Sequence, residues 1–259
     1  MAPSRPLAFI AILAATMFLL PRAGNAGPPF ITDDPVPVEY GHWEITAFSA
    51  GAHTPADSSG LGPSMEVNYG ALPGVQLHIL GGLGFNAQSG HNLQFGPSDT
   101  EIGAKIRLLD TSEDDWWPQV AVYPLAELPS GNAAHGLGAG YLQTYLPVWL
   151  QKDFGRWTIY GGGGYWNNPG PGNRDYWFSG VVLQRQITDD FALGAEVFHQ
   201  TSPMVGRTSS FGFNLGMTYD INEHYHLLAS AGQGGILYAI NAQSTREPVT
   251  YYIGLLWSF

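Results

Sequence analysis

Tyr251-Tyr252-Ile253-Gly254-Leu255-Leu256-Trp257-Ser258-Phe259 ends the chain, and its pattern decides the fold. Counting back from Phe259, the alternate positions Trp257, Leu255, Ile253 and Tyr251 are all apolar, while Ser258, Gly254 and Thr250 fall between them. Leu256 and Tyr252 are the exceptions. This is an approximate period-two strand that finishes on an aromatic at the terminus. A chain end usually frays unless it is tied into a sheet, so the stretch predicts a terminal strand with a fixed partner.

The opposite end bears on where that sheet lies. Arg5 precedes an apolar run from Leu7 to Leu20, and Ala23-Gly24-Asn25-Ala26 places small residues at the −3 and −1 positions of a cleavage site. Residues 1–26 read as a secretory signal peptide. The run is too short for a membrane-spanning helix, and charges, Gly or Pro interrupt every later apolar run. Any membrane the mature chain crosses must therefore be crossed by strands.

Composition agrees with export. Cysteine is absent, so the fold holds without disulfides. Of 259 residues, 34 are Gly and 12% are charged, and mean hydropathy is near zero. An apolar outer face averaged with a polar inner one gives such a value. The net charge of −11 argues against nucleic-acid binding. With no linker after residue 40, three parts are expected: the signal peptide, a periplasmic or lumen-packing segment over 27–40, and one domain over 41–259.

About twelve strand-like segments follow, near 41–52, 62–70, 74–86, 99–109, 118–128, 139–151, 155–166, 175–186, 190–200, 208–219, 224–235 and 248–259. Tight turns at Ala71–Gly74, Lys152–Gly155, Thr188–Asp190 and Asn222–His224 alternate with longer polar loops at Asn86–Ser98, Ser130–Gly138, Asn167–Arg174 and Ile240–Arg246. Short turns on one side, with both termini there, suit an even-stranded barrel. The connection through Asp110–Asp115 is longer than its siblings.

The strands alternate by face. Ile102, Ala104, Ile106 and Leu108 oppose Glu101, Lys105 and Arg107; Phe211, Phe213, Leu215 and Met217 oppose Gly212, Asn214, Gly216 and Thr218. A soluble sandwich and a membrane barrel share this alternation with opposite faces buried. The eight tryptophans separate them, because all map to strand ends or turns. Trp43, Trp116, Trp117, Trp149, Trp157 and Trp257 fall on the short-turn side, and Trp166 and Trp177 on the long-loop side. Two interfacial belts are expected of a closed antiparallel transmembrane β-barrel in the bacterial outer membrane.

Several motifs carry a family resemblance. Ile31-Thr32-Asp33-Asp34-Pro35, Gly41-His42-Trp43-Glu44, Ile102-Gly103-Ala104-Lys105-Ile106-Arg107, Leu128-Pro129-Ser130-Gly131 and the Gly254–Phe259 ending resemble those of small outer-membrane transporters of the MetA-pathway phenol-degradation type. The resemblance implies a small barrel that passes solutes. The closing strand likewise resembles that of outer-membrane barrels, whose terminal Phe is a signal to barrel-insertion machinery. The implied partners are outer-membrane lipid, that machinery through Phe259, and a small-molecule solute.

Face parity assigns Glu44, Glu66, Glu101, Lys105, Arg107, Glu127, Arg156 and Glu196 to the lumen, with the aromatics Tyr123, Tyr141 and Tyr145. Ionised groups in a narrow barrel pair or stay hydrated, leaving a salt-bridged plug and a charged wet passage both open. Aromatics on that face suit an apolar or aromatic solute. Pro124 and Pro147 sit inside strand patterns, where proline cannot donate to the ladder. They read either as wall-shaping bulges or as a lateral seam. Gly161–Gly164 either lets aromatics pack on the backbone or thins the wall.

No cofactor, metal or catalytic group is expected. His199 and Ser202 are the nearest hydrolase-like pair, yet no carboxylate is placed to orient them. His224 and His226 lack further ligands. The expected function is passive uptake of small solutes, with a structural or adhesive barrel as the alternative and a lipid hydrolase behind both.

Overall fold

The computed structural model describes residues 29–234 and 248–259. The expected signal peptide, residues 27 and 28, the end of the strand near 224–235 and the Ile240–Arg246 loop lie outside them.

Among the described residues the chain forms twelve antiparallel strands: β1 Trp43–His53, β2 Asp57–Leu72, β3 Val75–Gln88, β4 in two pieces (Gln94–Pro97 and Thr100–Leu109), β5 in two pieces (Gln119–Val122 and Leu125–Leu128), β6 Gln143–Phe154, β7 Trp157–Asn167, β8 Tyr176–Gln186, β9 Phe191–Gln200, β10 Ser210–Asp220, β11 Tyr225–Gln233 and β12 Val249–Ser258. Each pairs with its sequence neighbours, and β1 pairs with β12 from Glu44↔Ser258 to His53↔Val249. Trp43 and Phe259 exchange backbone hydrogen bonds of 2.8 and 3.0 Å, fastening the last residue. The sheet thus closes on itself and leaves no edge, as lipid requires.

The period-two pattern governs which way each side chain points. Along β10, Phe211, Phe213 and Leu215 are exposed on the outside while Gly212, Asn214, Gly216 and Thr218 are buried inside. Along β12, Tyr251, Ile253, Leu255 and Trp257 face out, with Thr250, Tyr252, Gly254 and Leu256 within. Ile102 also faces out, Ile106 is half-exposed, and Lys105 is 3% exposed. Outward apolar and inward polar residues are the inverse of a soluble sandwich. The wall is built for lipid.

Turn chemistry supports the register. Pro73-Gly74 joins β2 to β3 with Gly74 at φ 76°, and Gly155 at φ 61° joins β6 to β7. Such dihedrals suit glycine alone without strain. The strand expected near 62–70 begins earlier, at Asp57, so its hairpin loop shrinks to 54–56. Register shifts at Phe48/Ala50 and Leu61/Ser64 bend β1 and β2 there. The long turn after β4 is held from β6: Lys152 Nζ donates to the carbonyls of Ser112 (2.9 Å), Glu113 (3.0 Å) and Asp115. Backbone and side-chain donors of Ser112 hold the Asp115 carboxyl below its usual range.

The tryptophan belts need correction. Trp43, Trp157 and Trp257 lie outward on the short-turn side, Trp116 and Trp117 are exposed in its long turn, and Trp177 lies outward on the opposite side. Trp149 and Trp166 instead face the interior and are buried there. Trp149 stands mid-strand with the inward parity of Tyr145 and Pro147.

Pro124 and Pro147 make no bulge. The β5–β6 register runs unshifted from Val122↔Val148 to Leu125↔Tyr145, and the β4–β5 register passes Pro124 equally unshifted. Tyr123 N–H donates to Pro147 O at 3.2 Å, and Ala104 N–H donates to Pro124 O at 3.1 Å. Each proline therefore removes one return bond, Pro147 from β5–β6 and Pro124 from β4–β5. The two gaps fall in neighbouring seams, which corrects the expectation of one weakened seam.

Candidate functional site

Residues 29–40, ahead of β1, run as an extended strap across the barrel interior. Phe30, Thr32, Asp34 and Val38 are all buried. Phe30 rests on glycines of β9 and β10: a Cβ at Gly194 or Gly216 would come within 2.8 or 2.7 Å of its ring. The Glu196 carboxylate on β9 accepts the Ile31 N–H (3.3 Å), the Thr32 N–H (2.6 Å) and the Asn214 side-chain amide (2.6 Å). Ser230 Oγ on β11 donates to Pro29 O.

Farther along, the strap meets the other wall. Lys105 Nζ on β4 lies 3.0 Å from Asp33 and 3.7 Å from Asp34, and 5.1 Å from the centre of the Tyr123 ring. Gln76 Oε1 on β3 accepts the Val38 N–H at 2.9 Å. Tyr40 then bridges to Gly70 on β2 at the short-turn rim. The strap is thus tied at both ends of its course, to β9–β11 and to β3–β4. Buried charges so paired are expensive to separate.

Beside the strap lies a cavity of about 280 Å³, lined mainly by β1–β6 with Trp166 of β7, Phe178 of β8, Leu228 of β11 and Tyr252 and Leu256 of β12. One wall is aromatic. Tyr145 stacks on Trp166 (4.6 Å between centres, 8° between planes), Trp166 on Tyr176 (5.8 Å), and Trp149 meets Tyr145 edge-on (6.5 Å). Gly162 permits this packing, because a Cβ there would lie 3.1 Å from the Trp149 ring. Gly162 alone of Gly161–Gly164 has a ring among its nearest neighbours; a Cβ at Gly161, Gly163 or Gly164 would meet the backbone of β8 or β6.

The other wall is acidic. Asp33, Glu44, Glu66, Asp99, Glu101 and Glu127 all line the cavity, against Lys105 and His78. His78 joins three of the polar groups: its ring lies 2.9 Å from Asn68 Oδ1, 3.0 Å from Glu101 and 3.5 Å from Glu66. At the long-loop mouth the connection between β5 and β6 folds inward. Asp99 accepts the Gly131 N–H (2.7 Å) and the Ala139 N–H (2.6 Å), and Leu137 is 1% exposed beneath it.

The residues assigned to the lumen from sequence separate into groups. Glu44, Glu66, Glu101, Lys105, Glu127 and Tyr145 line the cavity, as does Tyr123. Glu196 has the inward face but is sealed beneath the strap and 1% exposed. Arg107 is half-buried and pairs with Asp110 at 3.1 Å near the short turns. Arg156 is exposed in a tight turn, paired with Asp189 at 3.4 Å, and Tyr141 is exposed in the inward-folding loop. These two corrections share a cause: face parity has no meaning outside a strand. Asp33, Asp34 and Asp99 were missed because their roles depend on contacts distant in sequence. Ser202 Oγ donates to Met204 O at 2.7 Å and is not paired with His199. Among the described residues no cluster of His, Cys, Asp and Glu could hold a metal ion.

No protein-family model matches the chain, and no curated protein matches it in sequence. Solved structures do. The COG4313 outer membrane channel from Pseudomonas putida F1 aligns at TM-score 0.68 with 12% identity, over 86% of this chain and 97% of that one. The NanC porin aligns at 0.59 with 9% identity, over 82% and 98%. The KdgM porin, solved in complex with oligogalacturonate, aligns at 0.54 with 10% identity, over 83% and 99%. At such identities the likeness establishes the fold, a closed twelve-strand outer-membrane-type barrel.

Proposed function

We propose that this protein is a passive outer-membrane channel for small solutes, with hydrophobic or aromatic compounds the leading class. The observation that carries this is a cavity of about 280 Å³ with a stacked aromatic wall inside a closed barrel. That volume, just below the roughly 300–1,000 Å³ of ligand pockets, suits a single-ring compound. The named structural neighbours, a channel and two porins, point the same way. So do the motifs that resemble the phenol-degradation type. The oligogalacturonate of the KdgM complex is a polyanion; the carboxylates within this barrel would repel such a solute.

The further partners of this reading are outer-membrane lipid, supported by the apolar outer face, and insertion machinery at Phe259, supported by the resemblance of the closing strand. No covalent chemistry is required. A structural or adhesive barrel is the second reading, favoured by the strap that crosses the lumen.

Conductance of the refolded protein in planar bilayers, beside uptake of phenol into vesicles bearing it, separates the two. A channel gives steady current or uptake faster than in protein-free vesicles. Silence in both assays would leave the structural reading.

A further inference from the structure

Glu101 on β4 and Glu127 on β5 are directly opposed across the ladder, and both line the cavity. Two ionised carboxylates in that relation repel one another. Glu101 is partly compensated by His78 Nε2 at 3.0 Å. The side chain of Glu127, unlike its backbone in the ladder, has no hydrogen bond or ion pair among the described residues. The ammonium of Lys105, which also lines the cavity, is committed to Asp33 and Asp34.

The aromatic wall adjoins this pair. Glu127 opposes Gln143 on β6, and Leu125 opposes Tyr145, so Tyr145 stands diagonally next to Glu127 on the same inner face. Tyr145 Oη and Trp149 Nε1 are buried and lack a hydrogen-bond partner. Both residues line the cavity and are at least nine-tenths buried. Unpartnered polar groups of this kind are rare in folded proteins, and one that faces a cavity points to a ligand or water.

We propose that the cavity binds a small organic cation, its ammonium between Glu101 and Glu127 and its aromatic body against Tyr145 and Trp149. The assignment rests on the channel reading only for the route by which the cation arrives. An anion would meet six carboxylates. A neutral aromatic would stack but make no use of the opposed Glu101–Glu127 pair. An inorganic cation would neutralise the pair and leave the aromatic wall unused. An ammonium on an aromatic body meets both walls, since ring faces attract cations where water is excluded. A ring hydroxyl would further accept from Tyr145 Oη–H or Trp149 Nε1–H.

The test is isothermal calorimetry on the refolded full chain in detergent micelles. The probes are 2-phenylethylammonium, 2-phenylethanol and phenylacetate, which differ chiefly in the charge of the head group. The cation should bind at least about tenfold more tightly than the other two. Glu127→Gln should weaken the cation by about tenfold or more and leave 2-phenylethanol unchanged, because of these two probes only the cation pairs with the removed charge. Heat-modifiable gel migration reports whether the variant folds. Should it not fold, Glu127→Asp and the head-group series on the parent chain decide.

Equal binding of 2-phenylethanol or phenylacetate, or an unchanged cation affinity in Glu127→Gln, would overturn the proposal. So would displacement by potassium at equal concentration, which would show charge neutralisation alone. The channel reading fails separately. A barrel silent in bilayers and vesicles that keeps its cation preference retains the site and loses the channel; flux without head-group preference does the reverse.

Discussion

Replacing Lys105 with methionine should loosen the strap and raise conductance. Lys105 Nζ is the shared counter-charge of Asp33 at 3.0 Å and Asp34 at 3.7 Å, and Asp34 is fully buried. Methionine keeps most of the side chain's volume and removes the charge, leaving two carboxylates without it. Breaking a buried pair in this way costs about 3–5 kcal/mol. At the lower bound the ratio of docked to undocked strap falls by about 150-fold. The remaining tethers are the bonds at Glu196, Gln76 and Ser230, the Tyr40–Gly70 bridge and the seat of Phe30 on Gly194 and Gly216. Hydrogen bonds to a charged group contribute about 1.5–3 kcal/mol each and neutral ones about 1. The strap should therefore remain docked for much of the time yet open far more often. Single-channel recording should show higher open probability or a larger conductance. Asp33→Asn and Asp34→Asn added to Lys105→Met should restore the parent behaviour, since the strap then carries no unpaired charge at these two positions. Unchanged current in Lys105→Met, together with a strap equally protected from protease, would refute the reasoning.

Three further outcomes are expected. Leu215→Arg, on the outer face, should lower the free energy of folding into lipid vesicles by about 2–4 kcal/mol if its depth is near the midplane; a loss below about 0.5 would place it elsewhere. Asp99→Asn should weaken the two backbone bonds that hold the loop over the mouth at Gly131 and Ala139, by about 1–3 kcal/mol together. Faster access of a water-soluble thiol reagent to a cysteine introduced in the cavity would register it, and equal access would count against a covering role. Pro124→Ala with Pro147→Ala should add up to one ladder bond in each of two seams, about 1 kcal/mol apiece, with solute uptake unchanged. Slowed uptake in that double variant would reinstate a lateral route.

The wall was legible in the sequence because its signal is local and repeated. Phe211, Phe213 and Leu215 announce their face to one another within five residues, and closure follows once β12 needs a partner. Trp149 shows where a cruder signal misled. Its distance from the turn suggested a belt position, while its parity with Tyr145 already pointed inward, and parity is the physical constraint in a pleated strand. Arg156 and Tyr141 fail for the converse reason, since each lies in a connection where alternation stops. Glu196 was given the correct face, yet what covers it arrives from 164 residues away. Asp33 and Asp34 stand in a motif without a visible task, for their partner Lys105 lies on β4, far along the chain from the strap. The interior is a set of long-range meetings, and no window of residues contains one.

The strap has a mechanical consequence. In a ring of twelve strands, β9 and β3 stand six places apart, on opposite sides. Glu196 grips the strap at one and Gln76 at the other. A hollow ring of this kind flattens readily, because its hydrogen bonds resist stretching around the circumference far more than they resist a change from circle to oval. A strut pinned across the diameter fixes the aspect ratio. It therefore sets the gap between the acidic and aromatic walls, and with that the width of any molecule the two can hold at once.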